Sequence, residues 1–402
     1  MDAITTVEAR ATNTANNSFQ VGNLDKGEVR TDLQKQWIAR PHDQRFLSLT
    51  DLHTSVKARA DRTTEIRIDT RKIEFVAPEP KTKEDLSRLS LGLPTGETVA
   101  PTHWSFGQLA SLAQAPAGYL RKLPSQIVAD ALTYGLRYNR SNEAVKLYDT
   151  KDELLAATGP DYGRIYDAEV VEAVQQIAGN GTGDCRWKVP GVLDWNTMRY
   201  NPESPVTLDT TTLYASDRDV FIFLVDDRNP IEIGKLPSGD PDLVFRGFYI
   251  TNSEVGSSAL KVAAFYLRAV CCNRLMWGVE GFQEISMRHS KYAPSRFIEE
   301  ARPALEGFAD GSTQRLLDGV KRARDAKVAS NDEEMIEFLR GRKFSQKQAV
   351  SILEYVEKEE GSPARTIWDV AQGISASARN IPHTDDRVEF EREARRLLDQ
   401  VA

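Results

Sequence analysis

Residues 246–278 read RGFYITNSEVGSSALKVAAFYLRAVCCNRLMWG, and the assignment of this stretch decides the fold. Its first part alternates as a strand does. Phe245, Tyr249 and Thr251 fall on one face, and Arg246, Phe248, Ile250 and Asn252 on the other. The polar run Asn252–Ser258 then ends the strand and offers hydroxyls that could cap a helix. From Ala259 to Met276 the chain is apolar nearly all round, broken by Lys261, Arg268, Asn273 and Arg274. That pattern predicts a helix buried on most sides. Lys261 and Arg268 would lie two turns apart on one face, a cationic stripe beside a polar turn and so a candidate anion site.

Working outward, Val220–Val225 is apolar on both faces and belongs in the middle of a covered sheet. It forms a hairpin with Thr211–Ser216 through Asp217-Arg218-Asp219, and its other partner is the strand at Arg246. The expected class is α+β: a mostly antiparallel sheet crossed by the Ala259–Met276 helix. Upstream, Glu65–Asp69 and Ile73–Val76 read as short strands, Pro78–Thr102 as a linker, and Trp104–Ala113 and Pro124–Tyr134 as helices. Leu136–Arg140 and Ala144–Tyr148 read as a hairpin turned by Ser141-Asn142-Glu143. A loop with Tyr162-Gly163-Arg164-Ile165 leads to a helix over Asp167–Ile177. After Gly278 helical segments follow to Leu398, with a capping box at Ser345–Gln348. These segments suggest an arm over 1–35, too polar to order itself, an α+β core over 36–290 and a helical region over 291–402.

The totals exclude several classes. With 402 residues, 40% hydrophobic and 28% charged, the chain has an ordinary globular composition. No apolar run is long enough for a membrane helix, and the polar start is no signal peptide. Three cysteines, two of them the adjacent Cys271 and Cys272, suit buried thiols in a reducing cytosol and not a disulfide or zinc framework. The net charge of −7 argues against coating duplex DNA by bulk positive charge. Lys57–Lys72 is nevertheless locally basic, with six cations against three carboxylates. The Gly179–Gly183 run lacks the Gly-Lys-Ser/Thr ending of a phosphate loop.

Several separated segments resemble one family. Gly247-Phe248, Asn252-Ser253-Glu254-Val255-Gly256, Arg268 and Cys271-x-Asn273 are similar to the signature of phage/plasmid-like proteins that share domain of unknown function 932. Pro116–Pro124, Tyr162–Asp167 with Glu169-Val170-Val171, and Thr366–Val370 agree with it, and the similarity spans Trp37 to Leu398. The helices after Ser312 look elaborated beside that pattern. The resemblance implies a mobile genetic element in a bacterial cytoplasm and no catalytic residues. The order hairpin, strand, long helix also resembles the core of single-strand annealing proteins of the Redβ and Erf kind. Those proteins hold DNA in an oligomer without nucleotide hydrolysis.

Single-stranded nucleic acid needs cations along a backbone and flat side chains on which bases stack. Candidates pairing the two are Arg137, Tyr138 and Arg140; Tyr162 and Arg164; Arg246, Tyr249 and Asn252; and Lys261, Arg268, Asn273 and Arg274. Each also has a structural reading, the tyrosines as half-buried sheet residues and Arg268 as a buried ion pair, for example with Glu254. Asp226, Asp227, Glu232, Lys235 and Glu254 loosely resemble a nuclease set, although Glu232 and Lys235 have the wrong spacing. The five histidines show no metal or triad spacing. The expectation is therefore a non-enzymatic, cofactor-free protein that binds single-stranded DNA, and can anneal it, as a homo-oligomer. The alternatives are an interaction factor that docks a host or phage protein, and a Mg²⁺ nuclease.

Overall fold

The computed structural model describes residues 42–138, 144–190, 193–194, 199–200, 205–268, 274–275, 285–290, 292–378, 381 and 384–401. The expected arm over 1–35 lies outside them. The chain is α+β, with mostly antiparallel sheets, the strand at Thr98–Pro101 running parallel to its neighbour at Glu153–Thr158, and a helical C-terminal region. The first α-helix among the described residues, α1 (Leu49–Ala60), begins at Ser48, whose hydroxyl accepts from the Asp51 amide.

Next come β1 (Thr63–Ile68), α2 (His103–Leu112), α3 (Ser125–Tyr138), β2 (Val145–Thr150), β3 (Glu153–Thr158) and α4 (Asp167–Ala178). β1, β2 and β3 are consecutive in a six-stranded sheet, which short strands at Thr98–Pro101, Ser90–Gly92 and Glu74–Val76 complete. Two expectations are corrected here. Pro78–Thr102 is no linker, because it supplies two of those strands. Leu136–Tyr138 is not a hairpin arm but the last turn of α3, since Leu132 and Leu136 continue its buried face. The true hairpin joins β2 to β3 across Lys151-Asp152. This layer has its own core of Phe106, Leu109, Val128, Leu132, Leu136, Val145 and Leu147.

The central sheet is built on β4 (Leu213–Ala215), β5 (Val220–Asp226), β6 (Pro241–Asn252) and β7 (Leu260–Arg268), antiparallel throughout. The expected hairpin and the β5–β6 pairing are both present, with Val220 opposite Asn252 and Val225 opposite Gly247. The helix expected over Ala259–Met276 is not. Its described part is β7, paired with β6 from Val244↔Arg268 to Thr251↔Lys261. The strand is apolar on both faces because both faces are covered. Leu260, Val262, Ala264 and Tyr266 enter one core, and Ala263, Phe265 and Leu267 enter an aromatic layer with Phe221, Phe223 and Tyr249. Such a run carries no periodicity that separates a buried strand from a buried helix. The polar run after Asn252 is thus a hairpin turn, in which Gly256 takes φ +85°.

Among the described residues six helices follow: α5 (Ala293–Asp310), α6 (Gln314–Asp325), α7 (Asp332–Arg340), α8 (Gln346–Glu360), α9 (Ile367–Ala378) and α10 (Thr384–Leu398). The Ser345–Gln348 capping box opens α8 as expected. Leu316, Val320, Met335, Ile352, Trp368 and Ile374 from these helices share one core with Ile222, Phe248 and Val262 of the sheet and with Leu49 and Val56 of α1. None of the helices is long and apolar enough, among the described residues, to cross a membrane.

Candidate functional site

The cationic stripe dissolves once β7 is a strand. Arg268 ends that strand, 2% exposed. Its Nε and Nη2 donate to the two oxygens of Asp242, each at 2.8 Å, and it also pairs with Glu360. Arg324 reaches the same Asp242 at 2.6 Å, and both guanidiniums lie over the Trp368 ring. The buried ion pair that the sequence allowed is present, with Asp242 and Glu360 in place of Glu254. Arg268 therefore faces carboxylates. Lys261 is half-buried opposite Thr251. Asn273 lies outside the described residues, and Arg274 is described only as a backbone pair of Leu267.

Most of the other candidates are also internal. Asn252 is wholly buried, and its amide donates to Asp167 Oδ1 at 2.7 Å and to the Ile165 carbonyl at 2.9 Å. Arg164 is 5% exposed, donates to Glu65 at 3.1 Å and to the Glu254 carbonyl, and lies 4.0 Å above the Tyr148 ring. Arg246 is buried and donates to the Gly311 carbonyl at 2.7 Å, and Tyr249 is 1% exposed in the aromatic layer. Glu254 and Asp167 share the Arg59 guanidinium at 3.0 and 2.7 Å. Burial, with the nearby Glu254 charge, raises the Asp167 carboxyl well above the usual carboxylate range. These residues tie the β6–β7 turn to α1 and α4.

Arg137 and Tyr138 alone among the candidates with described side chains are exposed. They close α3, whose opposite face is filled by Val128, Ala129, Leu132 and Leu136. Ile127, Tyr134 and Tyr138 form a second stripe at helical spacing that stays outside, with the two tyrosines 68% and 62% exposed and their ring centroids 4.6 Å apart. Residues 70–76 run along this helix. The Phe75 amide donates to Thr133 Oγ1 at 3.1 Å, Arg137 pairs with the exposed Glu74 at 3.0 Å, and Arg71 and Lys72 are both exposed. Arg140 lies outside the described residues.

A cleft of about 670 Å³ lies where the β6–β7 turn meets α2 and the end of β3. His103 and Trp104 of the first turn of α2 line it with Arg121, Thr158, Tyr162, Arg218 and Gly256. Its wall is held from both sides. Trp104 Nε1 and Gln108 Nε2 donate to the Val255 carbonyl at 3.0 and 2.9 Å, while Gln108 Oε1 accepts from the Ala157 amide at 2.9 Å. His103 gathers two guanidiniums. Its carbonyl accepts from Arg121 Nη2 at 2.8 Å, and its Nδ1 accepts from Arg218 Nη2 at 3.1 Å. Tyr162 stacks on His289, with ring centroids 5.1 Å apart, and donates to the Ser253 carbonyl at 3.2 Å. Burial pushes the His289 imidazole down to about 4.

A protein-family model described as a domain of unknown function, DUF932, matches residues 155–384, more than half of the chain. The chain belongs to the DUF932 family. No curated protein and no solved structure matches it. The DUF932 region holds β3, the central sheet and helices α5–α9, together with Thr158 and Arg218 of the cleft. Helices α2 and α3, and with them Arg121, Tyr134 and Tyr138, precede it. Within the DUF932 region the carboxylates considered for a nuclease do not converge. Asp226 and Glu254 follow opposite ends of the β5–β6 pair. Asp226 is held by Arg186 at 2.8 Å, and Asp227 by Lys188 at 3.1 Å. No group of metal-ligating side chains forms among the described residues. Sequence reasoning missed Tyr134, Arg121 and Thr158. The spacing of Ile127, Tyr134 and Tyr138 beside a second apolar face could have disclosed the first, whereas the other two meet only through tertiary packing.

Proposed function

We propose that this chain binds single-stranded nucleic acid without catalysis, through the outer face of α3, as a homo-oligomer of a phage- or plasmid-derived element. The supporting observation is the neighbouring Tyr134 and Tyr138 rings, both largely exposed, with Arg137 next to Tyr138 in the chain. The exposed Lys72 lies on the segment that runs along α3, where Arg71 is paired with Asp69. Flat side chains in solvent beside cations suit bases and phosphates of any sequence. Several copies along one strand would raise the affinity of a small patch on an acidic protomer. The interior candidates take no part in this reading.

The test is fluorescence anisotropy with a labelled oligonucleotide at low and moderate salt. Wild type is expected to bind, more weakly as salt rises. Tyr134→Ala with Tyr138→Ala is expected to lose at least about tenfold, since each stacked base contributes roughly 1–3 kcal/mol. Equal binding by that variant, or none by the wild type at low salt, rejects the reading. Ile127 extends the stripe without charge, 38% exposed, and this favours a second reading as a contact for a protein partner. A stoichiometric protein complex, free of nucleic acid and broken by the same double substitution, would establish that alternative.

A further inference from the structure

The cleft shares no residue with the outer face of α3 and carries a separate function. A guanidinium inside a protein normally finds a carboxylate, as Arg268 does. Arg121 makes no ion pair among the described residues. It leans on the Phe106 ring at 5.0 Å, one of its nitrogens donates to the His103 carbonyl, and its Nε is buried with no hydrogen-bond partner among the described residues. Burial draws its pKa down, yet an arginine stays cationic at neutral pH. Thr158 is an independent second observation. It lines the same cleft, is 6% exposed, and its Oγ1 has no hydrogen-bond partner among the described residues. Buried hydroxyls are normally satisfied, so an orphan on a cleft wall points to a group that arrives from outside. Arg218, held over the Trp104 ring at 5.4 Å and tethered to His103, adds a second positive charge.

We propose that this cleft binds a small organic phosphate of nucleotide size. Arg121 and Arg218 neutralise the phosphate, Thr158 donates to it, and the Trp104 side supplies an apolar wall for the organic part. Guanidinium is the cation best matched to phosphate oxygens, because its fork donates two parallel hydrogen bonds. A volume of about 670 Å³ suits a ligand of this class. The walls are preorganised by the double use of Gln108 and by Trp104 on the Val255 carbonyl, so little ordering is left for the ligand to impose.

The experiment is isothermal titration of the full chain with AMP, adenosine and inorganic phosphate. AMP is expected to bind, with adenosine and inorganic phosphate each at least tenfold weaker. Arg121→Met should lose at least tenfold in AMP affinity and Arg121→Lys less. Thr158→Val, which keeps the shape and removes the hydroxyl, should lose about threefold. Thermal unfolding verifies that each variant is folded, and Thr158→Val alone tests the site if the arginine variants are not. Absence of binding by AMP at millimolar concentration overturns the proposal. So does adenosine matching AMP, inorganic phosphate matching AMP, or AMP affinity unchanged in both Arg121→Met and Thr158→Val. Tyr134→Ala with Tyr138→Ala should leave AMP affinity intact; loss of AMP binding there would move the phosphate to α3 and reject the cleft, whatever the oligonucleotide result.

Discussion

Two arginines show how differently one residue type can be housed. Arg268 lies in the DUF932 region and Arg121 before it, yet Arg268 is neutralised by Asp242 and Glu360, whereas Arg121, among the described residues, meets a carbonyl and a phenyl ring. The sequence could not separate them, because the partners of Arg268 lie 26 and 92 residues away. His289 raises the same question of what a buried group lacks. Its Nδ1 accepts from the Ile165 amide at 3.4 Å, its Nε2 is buried without a hydrogen-bond partner among the described residues, and Tyr162 covers its face. Its folded pKa, about 4, lies below the ordinary 6.5, so the unfolded chain takes up the proton first. The neutral ring's contribution is thus complete above pH 6.5 and is lost as pH falls from there towards 4. By linkage that amounts to about 2 kcal/mol between pH 8 and pH 5. Urea denaturation at the two pH values should show this drop in the wild type, and His289→Gln should remove most of it. An identical pH dependence in the variant would mean that other groups cause it.

At the scale of elements, legibility followed periodicity. The C-terminal helices, α2 and α4 carried an apolar pattern of one period and were read, and β5, apolar on both faces, was read as a strand because its valines, isoleucine and phenylalanines favour one. β7 carried none, because it has a core on each side, and its alanines and leucines favoured the wrong answer. The close approach of β6 and β7 offers a test of the strand assignment. A Cβ on Gly247 would lie 2.3 and 2.4 Å from the ring of Phe265 and 3.1 Å from the Leu224 carbonyl, inside a sheet covered on both faces. Gly247→Ala should therefore destabilise by about 1–3 kcal/mol, the usual range for an overpacked core. Phe265→Leu in the same chain should return part of that loss if the ring is the obstacle. A urea midpoint unmoved by Gly247→Ala would contradict the register in which Gly247 faces Phe265.

Across the whole molecule, the sheet and the C-terminal helices behave as one body because they share a core and an ionic knot. Asp242 of β6, wholly buried, receives Arg268 from β7 and Arg324 from α6, while Glu360 at the end of α8 takes the remaining side of Arg268. Gln372 and Trp368 of α9 close the cluster. No sequence pattern announces such a knot, since its members come from five elements and each looks like a surface charge in isolation. Replacing both members of a buried pair with apolar groups can be close to neutral, but removing one strands the other inside. Asp242→Ala leaves Arg268 with Glu360 and Arg324 with the Ile233 carbonyl, and should cost about 3–5 kcal/mol. Asp242→Ala with Arg268→Met should recover part of it, because one of the two stranded guanidiniums is then gone. Urea unfolding followed by far-ultraviolet circular dichroism and by tryptophan fluorescence reads both helices and sheet. With the shared core, the two signals should move together to lower urea in the single variant and return together in the double. If the helical signal shifts alone while the sheet keeps its midpoint, the C-terminal helices fold separately, and the knot serves them and not the joint.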